Sequence, residues 1–193
     1  YEISACLVGS EMCIRDRGLI HTDAEATELA LRANQADKTY FVPAFTGLGA
    51  PYWDSEATGM FTGITRVTGR AELAKACLES IAYQITDLVA LMAKDAGIPV
   101  NTLRVDGGPT VSDYLMQFQS DLTCASVEVP EIQELSGMGA AYAAGIAVGL
   151  YDREQVFLGL QHRSYYARLS EKERQRRYAG WKTAVKRVLL EEK

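Results

Sequence analysis

The chain has 193 residues and a formal net charge of −5 at pH 7, and 48% of its residues are hydrophobic. This length and apolar content suit one domain with a sizeable core. The acidic balance argues against nucleic acid or an anionic membrane as the main partner, and no unbroken apolar run approaches the roughly 20 residues that span a bilayer.

The chain contains four cysteines and two histidines, and no pair of cysteines has Cys-x-x-Cys spacing. The sequence therefore predicts no metal site. Cys77 and Cys124 occupy apolar positions and are predicted to be reduced core cysteines, which is typical of a cytoplasmic protein.

The first 17 residues, Tyr1 to Arg17, differ in character from the rest. The string from Cys6 to Arg17 resembles a translated sequencing adapter of the kind found at the ends of assembled reading frames. The alternative is an ordinary divergent or disordered tail. On either interpretation we expect residues 18–193 to form the domain.

A helix is predicted over residues 22–33, with Thr22 or Asp23 as its N-cap. Residues 40–42 are typical of a strand, which Pro43 would end or restrict to a sheet edge.

The segment from Pro43 to Asp54 is rich in glycine, proline and aromatic residues. It is predicted to be an ordered loop that packs onto the body of the domain, and the alternative is that it forms one wall of a cleft. Residues 59–64 alternate as a strand does.

The longest predicted helix runs over residues 70–96, and Gly97 is a suitable left-handed stop. Its apolar positions recur at helical spacing and indicate one buried stripe. The stripe consists of Ala74, Leu78, Ile81, Ile85, Leu88 and Met92.

A buried strand is predicted over residues 103–105, followed by a turn at Gly107 and Gly108 and a helix from Pro109. A helix that begins at a glycine turn presents free N–H groups and a partial positive charge, which suits a phosphate group. The alternative is that the two glycines only connect the strand to the helix.

Residues 126–129 are predicted to form a second strand, and residues 136–149 a helix of small residues that could lie close to a neighbour or to a ligand. A short helix is expected over residues 152–160, and residues 162–168 are expected to be irregular. A final helix is predicted over residues 170–190.

Ser170 and Glu173 are predicted to form a capping box at the start of that final helix. Its arginines, Arg174, Arg176 and Arg177, are interpreted as a solvated face because glutamate and lysine surround them. Together the elements predict an α/β layered domain. In such domains ligands bind beyond the carboxyl ends of the strands, and residues 106–112 lie at one such end.

Several segments resemble the FGGY carbohydrate kinases. The second signature of that family resembles a pattern that begins at residues 59–64 and continues with Glu72-Leu73 and Ala76 to Glu79. Cys77 is a departure from it. Other segments are similar to the glycerol kinase branch of the family. They are residues 43–54, 78–84, 105–108, 115–121, 139–142 and 178–181.

The resemblance implies the C-terminal domain of an actin-like ATPase (ribonuclease-H-like) fold, incomplete at its N-terminal end, with ATP bound between this domain and another. It implies that Gly107 and Gly108 lie against the ATP phosphates. Ser112 stands where related kinases carry an asparagine that contacts the nucleotide, so it is the third predicted cofactor-binding residue and also a departure.

The resemblance further implies that the complete enzyme uses ATP and Mg²⁺ to convert glycerol, or a related polyol, to its phosphate in the cytoplasm. The catalytic aspartate and the substrate residues are expected upstream of this segment, so no catalytic residue and no metal ligand is assigned here. Alone, the segment is expected to be inactive.

Two alternatives stay open. The first is another FGGY kinase that acts on a different sugar or polyol. The second is a truncated, non-catalytic domain that binds nucleotide weakly or only packs against a partner. The sequence leaves open whether the protein forms a homo-oligomer.

Overall fold

The computed structural model describes residues 15–131, 135–152 and 161–189. Most of the adapter-like stretch, up to residue 14, and the predicted short helix after Asp152 lie outside the described residues.

The first half of the domain contains two helices and two short strands in the order predicted. They are α1 (Asp23–Arg32), β1 (Tyr40–Val42), β2 (Met60–Thr62) and α2 (Arg70–Ala96). The predicted caps are confirmed, since the Thr22 side chain accepts a hydrogen bond from the N–H of Glu25 and Gly97 adopts a left-handed conformation after α2.

The second half begins with the strand and glycine turn that were predicted around residues 103–108. Its elements are β3 (Thr102–Arg104), a 3₁₀ turn (Gly108–Val111), α3 (Asp113–Thr123), β4 (Ser126–Pro130), α4 (Leu135–Ala147), β5 (His162–Tyr165) and α5 (Glu171–Val188). The predicted mixture of helices and strands is confirmed.

The strands form two small sheets. In the first, β1 and β2 pair antiparallel, with Phe41 opposite Phe61. In the second, β4 is central, with β3 parallel on one side and β5 antiparallel on the other. Leu103 is therefore paired in register with Val127, and Val127 with Tyr165 on its other side.

Two strand predictions are wrong. The strand at residues 103–105 was expected to be buried, but Arg104 is exposed, and Leu103 and Val105 are only partly buried against the core. Among the described residues β3 pairs only with β4, so it is an edge strand. Residues 162–168 were expected to be irregular, but residues 162–165 form β5. The string His-Arg-Ser-Tyr has no apolar alternation, so only its pairing with β4 defines it as a strand.

Helix α2 is the centre of the domain, and α1, α3 and β1 pack around it. Residues 74–83 are buried on every face of the helix, whereas Met92, at the end of the predicted stripe, is exposed. By length and mean hydropathy α2 is the one helix among the described residues that could span a membrane, yet 56% of its most apolar window is buried inside the protein. It also buries Lys75, Glu79 and Asp87, so its burial is that of a core helix.

Asp87 is a fully buried carboxylate near the middle of α2. It accepts hydrogen bonds from the hydroxyl of Tyr52 at 2.6 Å, the indole N–H of Trp181 at 2.8 Å and the ammonium group of Lys182 at 3.2 Å. The hydroxyl of Tyr178 donates a fourth. These bonds join the loop after β1 to α5, and they raise the pKa of both tyrosines beyond the effect of burial.

Glu79 is a second buried carboxylate of α2, about two turns before Asp87. It accepts from the hydroxyl of Tyr114 at 2.7 Å and from the guanidinium of Arg177 at 3.3 Å, and Lys75 lies 4.0 Å away. Burial raises the pKa of Glu79, and these partners oppose that rise. The side chain of Arg177 is only 12% exposed, so the interpretation of the arginine run as a solvated face is wrong at this residue.

Helix α5 closes the core. Its Trp181 is fully buried and stacks on Tyr83, with ring centroids 5.2 Å apart. The preceding Gly180 leaves room for the ring of Tyr40, since a Cβ on Gly180 would lie 2.1 Å from the Tyr40 hydroxyl oxygen. The position of α5 on β1 is therefore fixed by shape as well as by apolar contact.

One other expectation needs correction. Cys77 is buried as predicted, and burial raises the pKa of its thiol, but Cys124, which ends α3 in a left-handed conformation, is exposed. On α4, Gly139, Ala140, Ala143 and Ala144 are exposed within the described part of the chain, so the close approach of this helix to a neighbour or to a ligand stays a prediction.

The first turn of α5 gives a prediction about pH. Hydrogen bonds from Arg176, and then from Arg177, lower the pKa of Glu173 to about 2. A carboxylate with a lowered pKa in the folded state stabilises the fold above its ordinary pKa of 4.5, and this contribution is lost as the pH falls towards 2. Because the pair is partly exposed, we expect the contribution to be at most about 1 kcal/mol.

The Glu173→Gln variant should therefore be less stable than the wild type at pH 7, and the difference should shrink below pH 4. Urea unfolding between pH 3 and pH 7 measures this. Glu171→Gln is the matched control, since Glu171 accepts from the amide of Gln175 on the same helix. A difference that stays constant with pH would contradict the prediction.

Candidate functional site

The predicted site is a turn that links the end of β3 to α3. Gly107 has φ 98° and ψ 174°, a region that essentially only glycine adopts. Gly107 and Gly108 are exposed, and a Cβ built on either glycine would meet nothing within 4 Å. The backbone of this turn is therefore open to the approach of another molecule.

The turn does not lead directly into an α-helix, as the sequence suggested. Residues 108–111 form one 3₁₀ turn with Pro109 at its start, and the chain is extended at Ser112 before α3 begins at Asp113. The 3₁₀ turn is closed by the N–H of Thr110, 3.1 Å from the carbonyl oxygen of Gly107, and by the Thr110 hydroxyl at 2.7 Å. Thr110, which follows the two glycines in the chain, thus fixes the turn by bonding to the carbonyl oxygen of Gly107.

Ser112, the third predicted site residue, is buried rather than open. Its hydroxyl oxygen accepts from the N–H of Leu115 at 3.3 Å, which makes it the N-cap of α3. It also accepts from the hydroxyl of Thr27 on α1, at 2.8 Å. In this structure Ser112 anchors the turn to two helices.

The turn is also fastened by β5, which the sequence did not predict as a strand. The guanidinium of Arg163 donates to the carbonyl oxygen of Thr110 at 3.1 Å and to the carboxylate of Asp113 at 2.8 Å. The hydroxyl of Tyr165 donates to the same carboxylate. Burial and this hydrogen bond raise the pKa of Tyr165, so the hydroxyl stays protonated and donates at neutral pH.

A groove of about 440 Å³ opens beside the turn, between α1, α3 and the start of α5. Val111 and Asp113 of the turn line it together with Phe118 and Arg177, whereas Gly107, Gly108 and Ser112 are not among its lining residues. The structure nevertheless brings Gly107, Gly108 and Ser112 together in one turn.

No group of three or more His, Cys, Asp or Glu residues within the described ranges could hold a metal ion. The two glycines nevertheless fit a phosphate group, because their open backbone leaves the space that a side chain would fill. Sequence reasoning missed Thr27, Asp113 and Arg163, whose roles depend on contacts between distant parts of the chain.

Comparison with a family profile and with individual proteins identifies relatives of this chain. The profile of the C-terminal domain of the FGGY family of carbohydrate kinases matches residues 7–148. Glycerol kinase 2 of Thermotoga maritima is 48% identical over 91% of this chain, and glycerol kinase of Symbiobacterium thermophilum is 48% identical over 86%. The chain spans about a third of the length of these relatives, 36% and 34%.

Among solved structures, a crystal structure of Plasmodium falciparum glycerol kinase with ADP superimposes with a TM-score of 0.87 and 31% sequence identity. It covers 96% of this chain, which corresponds to 38% of that protein. A xylulose kinase from Lactobacillus acidophilus superimposes with a TM-score of 0.74 at 24% identity, over 92% of this chain and 36% of that one, and shows the shared fold alone. The predicted actin-like fold class is confirmed, and the chain belongs to the FGGY family of carbohydrate kinases, whose C-terminal domain it represents.

Proposed function

We propose that this chain is the nucleotide-binding part of a glycerol kinase, which transfers the terminal phosphoryl group of ATP to a hydroxyl of glycerol and forms glycerol 3-phosphate. The observation that carries the proposal is the exposed Gly107-Gly108 backbone, which has room for phosphate groups. Glycerol as the acceptor is supported by the curated relatives, which are named glycerol kinases and are 44–48% identical.

The proposed roles of the three site residues differ. Gly107 and Gly108 would hold the phosphates through backbone N–H groups, since no side chain blocks them. Ser112 would contribute by fixing the turn, because its hydroxyl already accepts from Leu115 and Thr27. An asparagine at this position would contact the nucleotide with its longer side chain, and serine is too short to make the same contact.

Mg²⁺ would accompany the nucleotide, since it is commonly held by substrate phosphates together with one or two carboxylates and water. When bound, ATP and Mg²⁺ supply the phosphoryl group and part of the charge neutralisation. The residues of this chain would bind and orient the nucleotide. The base that accepts the proton of the glycerol hydroxyl would belong to a preceding domain.

Three further features belong to the proposal. The domain would comprise residues 18–193, the complete enzyme would be cytoplasmic, and its partners would be ATP and glycerol or a related polyol. Among the described residues, members of the hydrophobic clusters occur as early as Leu19 and as late as Leu189, which supports this extent.

Replacing Gly108 tests the nucleotide site. Gly108→Val should leave the fold intact, because a Cβ there meets nothing within 4 Å, but should weaken MgADP binding at least about tenfold by occupying the space of the phosphates. Isothermal titration of the chain with MgADP measures this. Ala96→Val is the control, since it introduces the same side chain at an exposed position at the end of α2, outside the turn.

Equal MgADP affinity in Gly108→Val and the wild type would contradict the proposed site. The acceptor is tested in the protein that also carries the preceding domain. Glycerol should be phosphorylated in preference to xylulose, and the opposite preference would indicate another FGGY kinase.

A further inference from the structure

The fastening of the turn by β5 has a distinctive geometry. Arg163 bridges the 3₁₀ turn and the first residue of α3, since one terminal nitrogen of its guanidinium donates to the carbonyl of Thr110 and the other to the carboxylate of Asp113. Tyr165, two residues later on the same face of the strand, donates to that carboxylate as well. The middle of the Gly107–Asp113 turn and its far end are therefore attached to one strand.

This strand is itself held firmly. β5 pairs antiparallel with β4 over four residues, and the backbone of Val127 on β4 is opposite Tyr165. β4 also pairs with β3, the strand that leads into the turn. The turn thus leaves the sheet at β3 and is tied back to the same sheet through Arg163 and Tyr165.

The exposure of the partners indicates what these contacts do. The side chains of Arg163 and Asp113 are 46% and 74% exposed. Ion pairs this exposed contribute little to global stability because water and salt screen them. A guanidinium that bridges two groups in fixed geometry nevertheless restricts the local conformation of the backbone that carries them.

We propose that Arg163 and Tyr165 are positioning residues for nucleotide binding, which hold the Gly107–Asp113 turn in the conformation that receives phosphate groups. The inference rests on the proposed function. Neither side chain needs to touch the nucleotide. They act through Thr110 and Asp113, and Thr110 in turn closes the turn on the carbonyl of Gly107.

The test compares Arg163→Met and Tyr165→Phe with the wild type in the full chain. Amide hydrogen exchange without ligand should become about tenfold faster in residues 110–113 of Arg163→Met, the change that corresponds to losing one or two ordinary hydrogen bonds. The MgADP dissociation constant should rise by a similar factor, while the unfolding midpoint changes little. Tyr165→Phe should show smaller effects in the same direction.

Two controls separate positioning from general damage. Arg104→Met removes a similar exposed ion pair, with Glu128, in the same sheet, but its partner lies on β4 rather than in the turn. It should leave both exchange in the turn and MgADP affinity unchanged. Arg163→Lys keeps the charge but cannot form both bonds with the same planar geometry, so it should restore affinity only in part.

The outcomes distinguish the two proposals. Wild-type protein that binds no MgADP would overturn the proposed function and, with it, the positioning role that rests on it. Wild-type binding that is lost in Gly108→Val but unchanged in Arg163→Met would overturn the positioning role. Equal effects in Arg104→Met and Arg163→Met would also overturn it.

Discussion

Replacing Asp87 with alanine should lower the free energy of unfolding by about 3–5 kcal/mol. The substitution leaves the buried indole N–H of Trp181 and the hydroxyls of Tyr52 and Tyr178 without their acceptor. It also removes the countercharge of Lys182. Each unpaired buried donor costs free energy, and the small side chain of alanine leaves a cavity beside Trp181.

Urea unfolding followed by tryptophan fluorescence measures the loss, because Trp181 is a direct neighbour of the substituted carboxylate. Asp95→Ala is the matched control, since Asp95 lies exposed two turns later on the same helix. That variant should differ from the wild type by less than about 0.5 kcal/mol. A loss below about 1 kcal/mol in Asp87→Ala would show that the four donors find other partners.

Replacing Arg177 with methionine should cost about 3 kcal/mol, because breaking a buried ion pair leaves the other charge uncompensated. Glu79 would keep the hydroxyl of Tyr114 and the more distant Lys75. The control is Arg176→Met, which removes an exposed partner of Glu173 from the same helix turn and should cost at most about 1 kcal/mol.

The loss should depend on pH with a definite sign. Burial raises the pKa of Glu79, and removing Arg177 raises it further, so the variant prefers the neutral acid in its folded state. A raised carboxyl pKa gives stability that is present at low pH and is lost as the pH rises through the folded-state value. The cost of Arg177→Met should therefore be greater at pH 8 than at pH 5.

A double variant, Glu79→Gln with Arg177→Met, provides a further check. It removes the buried charge together with its partner, so it should recover part of the stability that Arg177→Met loses. Urea midpoints of the two variants at both pH values make the comparison. No recovery would indicate that packing of the arginine stem, rather than its charge, accounts for the loss.

Much of the fold could be predicted because its determinants are local. The caps at Thr22 and Ser170 and the stop at Gly97 need only neighbouring residues, and all three are confirmed. The strand before Pro43 ends at Val42 for the same reason, since proline cannot continue the pairing. The bounds of α1, α2 and α5 therefore followed closely from capping and apolar spacing, whereas α3 begins four residues later than predicted.

The remainder depends on contacts between residues far apart in the chain. β5 has no strand pattern of its own, and it exists because β4 offers an edge. The buried charges Glu79 and Asp87 sit in a helix where sequence patterns predict only apolar burial, and their partners lie on α3, on α5 and in the loop after β1. In the candidate site the glycine pair was visible in the sequence, whereas its fastening by Arg163 was not.

The contacts of α5 have a consequence for the synthesis of the protein on the ribosome. The hydroxyl of Tyr40 reaches the carbonyl of Arg177, 137 residues later, and Tyr83 is covered by Trp181. Until α5 leaves the exit tunnel, Tyr83 lacks the indole ring that stacks on it and Asp87 lacks three of its four donors. The core of the nascent domain therefore closes only after α5 has been synthesised, well after the segment that contains Tyr40 and Tyr83.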